Sequence, residues 1–320
     1  MFSKWLACFA LVLGLFAPIF AQAYTGVTIL MSAPSPANSE FIENFKNELG
    51  STKNINLRVN VIVLQETEKL TVAENSELVI ALGVKALEAA SRLKHTTPVL
   101  GVFTPLPAFN EILARSRREL GNFSAIVLDQ PYWRQLSLIR AILPDAKKVG
   151  ILFGSVSSQY IELIKEEGEE RAFSILDESV TQEADLIPKL KILLESTDAL
   201  LAIPDRLVYN RETAESILLT SYRHKKPMFG YSQSYVRAGA LASVYSSGKQ
   251  VAMQAAEIAI KSQLAPSLLP PPQVPEYFSI SVNNQVAHSL NIPLMDEAML
   301  YKKMLEAETQ EVMEHEKAKH

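Results

Sequence analysis

Residues 78–82 read Leu-Val-Ile-Ala-Leu, an uninterrupted apolar run that is followed at once by Gly83. Similar short runs recur along the chain, and most of them are continuously apolar rather than alternating. Strands that are covered on both faces have this pattern, as in parallel sheets flanked by helices. The predicted strands are Gly26–Met31, Leu57–Leu64, Leu78–Leu82, Val99–Phe103, Ser124–Leu128, Val149–Phe153, Phe173–Leu176, Ala199–Ile203, Met228–Gly230 and Leu241–Val244.

Amphipathic stretches fill the gaps between these runs. One helical face is marked by Phe41, Ile42, Phe45 and Leu49, and Gly50 follows where a helix would end. Further helices are predicted over 133–143, which Pro144 stops, and over 213–222 and 250–263. Repeated strand–helix–strand order predicts an α/β fold with doubly wound parallel sheets.

The chain length favours two lobes over one large sheet. Residues 144–146 resemble a joint, because a fresh series of strands begins after them. A proline-rich stretch over 264–275 predicts an extended connector that returns from one lobe to the other. We expect lobe 1 to contain residues 24–128 and about 247–275, and lobe 2 to contain 129–246 and about 276–295. Residues 296–320 form a charged segment, predicted to be a solvated terminal helix, with a partner-binding helix as the alternative.

The N-terminal segment has the three parts of a secretory signal peptide. Lys4 gives a positive start, an apolar run extends from Trp5 to Phe20, and Ala21-Gln22-Ala23 has small residues at both positions of a cleavage site. An uncleaved anchor is the alternative, although the run is shorter than the roughly 20 residues of a spanning helix. We therefore predict residues 1–23 to be a signal peptide that is cleaved after Ala23, and an exported, periplasmic protein.

Composition narrows the classes of partner. The net charge is −4, which argues against a nucleic-acid partner, since such a partner favours a basic face. The single cysteine, Cys8, leaves with the signal peptide, so that the mature chain must be held together by burial without disulfides. We expect a monomer.

A search for catalytic and metal-binding motifs favours a protein that is not an enzyme. No two of the five histidines have the spacing of a helical zinc pair. The stretch Gly230-Tyr-Ser-Gln-Ser234 lacks the final glycine of a nucleophile elbow. No dinucleotide fingerprint or phosphate loop is present. We predict no cofactor and no metal.

Polar and aromatic residues gather where the predicted strands end. In open parallel sheets, ligands bind beyond the carboxyl ends of the strands. These positions suit a small organic molecule that is held by stacking and a few hydrogen bonds. Asp205 has a second interpretation, as the N-cap of a helix. The candidate ligand-binding residues are Ser32, Gly83, Phe103, Thr104, Asp205, Tyr231, Ser232, Tyr235 and Tyr245.

Several stretches resemble one family, the periplasmic ABC-transporter substrate-binding proteins whose better-known members bind tryptophan and other aromatic amino acids. The resemblance covers nearly the whole mature chain, and the order and spacing of the stretches make it specific. The stretches are 77–90, 98–103, 143–153, Pro227-Met-Phe-Gly-Tyr-Ser-Gln-Ser-Tyr-Val-Arg-Ala-Gly-Ala-Leu-Ala-Ser243, 248–256, 281–284 and 290–293.

The resemblance implies a type I periplasmic-binding fold, in which two lobes joined by three crossings close on a ligand. It also implies delivery of the ligand to a membrane permease. The chain departs from the family at acidic positions that could meet an ammonium group, where it has Tyr231 to Ser234, Thr104 and Ser246-Ser247. A buried ammonium without a carboxylate costs several kcal/mol. A neutral or anionic molecule with an aromatic or apolar part is therefore expected rather than an α-amino acid.

We predict the periplasmic solute-binding component of an ABC uptake system. The alternative is a sensory module of the same fold, which would signal its ligand state to a membrane protein. The missing acids and the charged segment 296–320 favour that alternative, because a repurposed protein can keep its fold and change its pocket. Both hypotheses predict an open–closed equilibrium that ligand shifts toward the closed form.

Overall fold

The computed structural model describes residues 26–52, 57–64, 70–264 and 268–318 and shows an α/β protein with two sheets. The predicted signal peptide and its cleavage site lie outside the described residues. The strands are β1 (Gly26–Met31), β2 (Arg58–Val63), β3 (Leu78–Leu82), β4 (Val99–Thr104), β5 (Phe123–Val127), β6 (Lys148–Phe153), β7 (Ser174–Ser179), β8 (Ala199–Leu201), β9 (Met228–Gly230), β10 (Ala242–Tyr245) and β11 (Ser279–Val282).

Helices follow most of these strands. They are α1 (Pro36–Ser51), α2 (Leu70–Glu74), α3 (Val84–Ala90), α4 (Leu106–Arg115), α5 (Tyr132–Ile142), α6 (Ile161–Glu170), α7 (Glu183–Ser196), α8 (Arg211–Arg223), α9 (Gln233–Ala238), α10 (Gly248–Leu264), α11 (Asn284–Ser289) and α12 (Glu297–Ala318). The four helices that the sequence pattern predicted correspond to α1, α5, α8 and α10.

The first lobe is built on a five-stranded sheet in the order β2-β1-β3-β4-β5, and every strand pair in it is parallel. One face packs against Phe41 and Phe45 of α1 and against Ala255 of α10. The other face packs against Leu87 of α3 and Phe109 of α4. Both faces are therefore covered, which confirms the interpretation of the continuous apolar runs.

The second lobe is built on a six-stranded sheet in the order β11-β10-β9-β8-β6-β7. Its pairs are parallel except for β10 with β11, which is antiparallel. Helices cover both faces here too, with α5, α6 and α12 on one side and α7 and α8 on the other. The strand β11 was not among the predicted strands.

The chain passes between the two lobes three times, at 128–131, at 246–247 and at 274–278. Before the third crossing, the proline-rich segment runs beside β5. There Gln273 donates its N–H to Ala125 and accepts the N–H of Val127. The predicted fold class, two lobes with a three-crossing hinge, is confirmed, whereas the exact lobe boundaries stay predictions.

The terminal segment differs from the solvated helix that was expected. Leu300 and Met304 of α12 are almost completely buried, and they belong to the core of the second lobe beside α5. Tyr301 packs on Phe278, with 5.0 Å between ring centroids. The first part of the charged segment is therefore an integral layer of this lobe.

Candidate functional site

A cavity of about 330 Å³ lies between the lobes, beyond the carboxyl ends of the strands. The first lobe contributes the start of α4, and the second contributes the segments that follow β6, β8 and β9. The first crossing and α5 form the base between them. The lining residues are Pro105, Pro107, Ala108, Glu111, Leu128, Asp129, Gln130, Gln135, Val156, Pro204, Asp205, Arg206, Tyr209 and Tyr231.

Much of the cavity wall is aromatic or apolar. Tyr209 and Tyr231 line it with rings nearly perpendicular and centroids 6.3 Å apart, and Tyr235 packs behind both. Burial raises the pKa of all three hydroxyls, so these groups stay neutral. Leu128 and Val156 add exposed apolar surface, 47% and 43% accessible. Such a wall suits an aromatic or apolar ligand part.

Asp205 lines the cavity, but both of its carboxylate oxygens accept hydrogen bonds from the protein itself. One oxygen accepts the N–H groups of Gly154 and Ser157 at 3.1 Å and the Ser157 hydroxyl at 2.8 Å. The other oxygen accepts the N–H groups of Leu207 and Val208 at 2.9 and 3.3 Å. Five donors therefore converge on one buried carboxylate, which joins the loop after β6 to the loop after β8.

Gly154 shows how closely these two loops meet. A Cβ at this position would lie 2.6 Å from Oδ1 of Asp205, well inside the distance that real side chains adopt. The N-cap interpretation of Asp205 is also corrected, since Asn210 is the residue that caps α8. Asp205 instead closes a turn, in which its carbonyl accepts the N–H of Tyr209.

Asp129 is a lining carboxylate that retains acceptor capacity, whereas Glu111, which also lines the cavity, is paired with Arg115 at 2.5 Å. Its Oδ2 accepts the N–H of Leu106, the first residue of α4, at 2.6 Å. Within the described chain, no Lys or Arg side chain forms an ion pair with it. Burial raises the pKa of Asp129, although hydrogen bonds from Leu106 and from its own N–H oppose this shift. A positively charged or hydrogen-bond-donating ligand group would relieve that desolvation.

Two glutamines extend the polar floor beside Asp129. Gln135 donates its amide N–H to the carbonyl of Gln130, whereas its own Oε1 is buried without a partner among the described residues. Gln130 uses both ends of its amide, donating to Ser246 and accepting from Arg134. Because Oε1 of Gln135 is fully buried, a ligand group could pair with it only after the Gln135 side chain moves.

Three of the nine predicted site residues, Asp205, Tyr231 and Tyr235, meet at or behind the cavity wall. The other six lie at strand ends outside its lining, so their part in ligand binding stays a prediction. Ser32 and Ser232 are half-buried at the ends of β1 and β9, and Gly83 precedes α3 with φ 84°. Thr104 is buried at the end of β4.

The two remaining aromatic candidates contact protein groups instead of the cavity. Phe103 packs edge-on against Phe41, with 5.6 Å between ring centroids. The hydroxyl of Tyr245 accepts a hydrogen bond from the Gln233 amide at 3.1 Å. These contacts give both rings a packing role in this conformation.

Sequence reasoning missed Asp129, Gln130, Gln135 and Tyr209. Asp129 and Gln130 lie two and three residues after the end of β5, so the strand-end rule that selected the other candidates could have found them. Gln135 lies on a helix and Tyr209 lies well beyond the end of β8, where no sequence signal marks them. Within the described ranges, no three His, Cys, Asp or Glu side chains come together as a metal site.

The helices in the described part of the chain include none whose length and apolar character would allow it to cross a membrane.

Comparisons with known proteins place the chain in one family. A family model described as "ABC transporter substrate binding protein" matches residues 37–304. A curated relative from Clostridioides difficile (strain R20291), a "Tyrosine-binding protein", is 19% identical over 252 residues, which is 75% of this chain and 72% of the relative.

Solved structures of similar fold cover most of the chain. A ligand-free, open structure of a substrate-binding protein with adhesive properties from Clostridium difficile is similar with a TM-score of 0.69 and 18% identity, over 85% of this chain and 96% of that one. An ABC domain from Streptococcus pneumoniae in complex with L-Trp is similar with a TM-score of 0.58 and 16% identity, over 87% and 98%.

Proposed function

The chain belongs to the ABC transporter substrate-binding protein family, and we propose that it is the exported binding component of an ABC uptake system. It would hold a small organic molecule in the cavity between the lobes and deliver it to a membrane permease. The observation that carries this proposal is the interlobe cavity itself, where an aromatic wall faces a buried carboxylate with spare acceptor capacity.

The chemistry of the wall supports a more specific ligand class. Tyr209, Tyr231 and the prolines at the start of α4 would enclose an aromatic ring, while Asp129 would accept a hydrogen bond from an amino group. Exposed Arg206 at the cavity lining would suit a carboxylate. The expectation of a neutral or anionic ligand rested on missing acids, and Asp129 supplies one. We therefore favour an aromatic amine or amino acid.

The similar proteins also support an aromatic ligand with an amino group. One is named for binding tyrosine and another was solved with L-Trp, and each shares less than a fifth of its residues with this chain. Export through the predicted signal peptide, release into the periplasm and a monomeric state belong to the same proposal. A sensory module would use the same cavity but another membrane partner. Neighbouring genes for a permease and an ATPase, rather than for a sensor kinase, would support transport.

A thermal-shift screen of residues 24–320 tests the ligand class. L-Tyrosine, L-tryptophan and tyramine are compared with 3-(4-hydroxyphenyl)propionic acid, which keeps the ring and lacks the amino group. A bound ligand stabilises the protein by RT ln(1 + [L]/Kd), so ligand at 100 times Kd contributes about 2.7 kcal/mol. We expect the amino compounds to raise Tm and the deaminated acid to do so less. Equal shifts would contradict the role of Asp129, and no shift with any aromatic compound would contradict the ligand class.

A further inference from the structure

Arg134 of α5 is a buried cation that joins the terminal helix to the hinge. Its side chain is only 6% accessible, and its Nε donates to Glu308 of α12 at 2.5 Å. Its guanidinium also lies over the ring of Phe278, 4.4 Å from the centroid. A buried charge persists only when a counter-charge and hydrogen bonds compensate its desolvation. Glu308 provides that counter-charge from a helix whose described side chains do not line the cavity.

The same guanidinium reaches two of the three crossings. Its Nη1 donates to Oε1 of Gln130 in the first crossing at 2.8 Å and to the carbonyl of Pro275 in the third at 2.9 Å. Gln130 in turn donates to Ser246 of the second crossing at 2.9 Å, and Ser246 donates to the carbonyl of Tyr277 at 2.5 Å. One continuous network therefore connects all three crossings, and it ends at Glu308.

Gln130 is also part of the cavity wall, and its carbonyl accepts the amide of Gln135, another lining residue. The path from Glu308 to the cavity thus has two side-chain steps, through Arg134 and then Gln130. A change at Glu308 would leave the Arg134 charge undercompensated and free its guanidinium to move. The three crossings and the Gln130 amide would then lose their shared anchor.

We propose that Glu308 is a positioning residue for the ligand site. It holds Arg134 in place, and through Arg134 it fixes the positions of Gln130 and the three crossings relative to one another. This inference rests on the proposed function, because it takes the interlobe cavity as the place where ligand binds. The C-terminal helix then controls how far the lobes open, although it lies outside the cavity. Truncation before residue 308 would have the same consequence as removing the carboxylate.

The relative position of the lobes can be measured without ligand. The predicted mature chain contains no cysteine, so Glu88→Cys on α3 and Glu162→Cys on α6 would be its only spin-label sites. Both side chains are exposed, 59% and 83% accessible. Double electron–electron resonance then compares this labelled protein with its Glu308→Ala and Glu308→Gln variants. The control is Glu306→Ala, whose carboxylate is 63% exposed and only loosely paired with Lys302 at 4.0 Å.

We expect Glu308→Ala to shift or broaden the distance distribution between the lobes, Glu308→Gln to restore much of the original distribution by keeping a hydrogen bond, and Glu306→Ala to leave it unchanged. If circular dichroism shows that Glu308→Ala does not fold, Glu308→Asp takes its place, because its shorter side chain keeps the charge but loses the 2.5 Å contact with Arg134. The same shift or broadening is then expected of Glu308→Asp. A distribution in folded Glu308→Ala that superposes on that of the parent would overturn the proposal, since a merely structural role would lower Tm without moving the lobes.

Binding provides the second readout. The dissociation constant for L-tyrosine should change by about 2- to 30-fold in Glu308→Ala, the range for residues that couple distant sites, and stay constant in Glu306→Ala. If the parent protein binds none of the screened compounds, the proposed function fails, whereas the distance measurement still decides whether Glu308 positions the hinge. The two failures are thereby distinguished.

Discussion

Asp129 and Asp205 line the same cavity, and their hydrogen bonds separate their roles. Asp205 accepts five hydrogen bonds from backbone and hydroxyl donors, so a ligand would have to compete with the protein for it. Asp129 accepts one bond from a neighbouring residue and carries a desolvation cost that shows as a raised pKa. Groups with perturbed pKa values in a cleft are candidates for function.

The substitution Asp129→Asn should separate affinity from stability. An amide oxygen can still accept the Leu106 N–H, whereas the charge that would meet an amino group is lost. A hydrogen bond to a charged group contributes about 1.5–3 kcal/mol, so calorimetry should show L-tyrosine binding weakened by at least about tenfold. Unchanged affinity would contradict the role of Asp129. Since burial disfavours its charged form, the free variant at pH 7 should unfold at the same temperature as the parent or higher.

The raised pKa of Asp129 also predicts a pH dependence of binding. As pH falls through the raised value, the carboxylate takes up a proton and its attraction for an amino group weakens. As the pH is lowered, the affinity for tyramine should therefore begin to fall while the pH is still above 3.8, the ordinary pKa of an aspartate. Asp129→Asn should lack this transition. The same raised pKa makes the free folded state relatively more stable at low pH, and this contribution is lost as pH rises through the folded-state pKa.

Asp205→Asn tests the structural role of the other aspartate. An amide has one acceptor oxygen instead of two and would present an NH₂ group to N–H donors. Leaving buried donors unpaired costs about 1–3 kcal/mol, which corresponds to a Tm lower by about 2–4 °C per kcal/mol. Asp145→Asn, at an exposed position, is the matched control. A Tm equal to that of the parent would show that these hydrogen bonds contribute little.

At the scale of residues, the sequence predicts which chemical groups line the cavity, but not whether those groups are free to bind a ligand. Asp205 was selected because it follows a strand, and it does line the cavity. Its carboxylate already accepts hydrogen bonds from Gly154 and Ser157, which follow another strand far away in the chain. Only the folded structure brings these residues together.

At the scale of elements, α12 shows the difference between composition and packing. Its charged residues predicted a solvated helix, yet Leu300 and Met304 are buried in the second lobe. Met304→Ala should cost about 2–5 kcal/mol in urea unfolding, because a buried methionine leaves a cavity. Met299→Ala on the same helix is the control, since Met299 is 57% exposed. Equal midpoints for the two variants would mean that α12 does not pack as described.

Strands were predictable where burial on both faces forces a continuous apolar run. All ten predicted strands are present; three match at both ends, and the ends of the others differ by at most three residues. The missed strand β11 reads Ser-Ile-Ser-Val, with half of its residues polar, and pairs antiparallel with β10 at the sheet edge. Its pairing with β10 stabilises it, and a short run of this composition does not reveal such pairing in the sequence.

At the scale of the whole molecule, repeated strand–helix order predicted the fold class, chain length favoured two lobes, and the family resemblance implied the three crossings. The cavity between the lobes could be predicted only as a place beyond the strand ends. Its lining depends on how the first crossing, α4 and the loop after β8 approach one another. The network from Glu308 through Arg134 to Gln130 was likewise beyond prediction, because Glu308 lies 174 residues from Arg134 in the chain.

The most direct test of the account is a calorimetric titration of a protein whose cavity is filled. Ala108 of α4 lines the cavity, whereas Ala114 on the same helix is exposed and lies outside the lining. The compound that raises Tm most in the screen is titrated into the parent, Ala108→Trp and Ala114→Trp. We predict that Ala108→Trp loses binding while it remains folded and that Ala114→Trp binds like the parent. Equal dissociation constants for all three proteins would contradict the claim that the interlobe cavity is the ligand site.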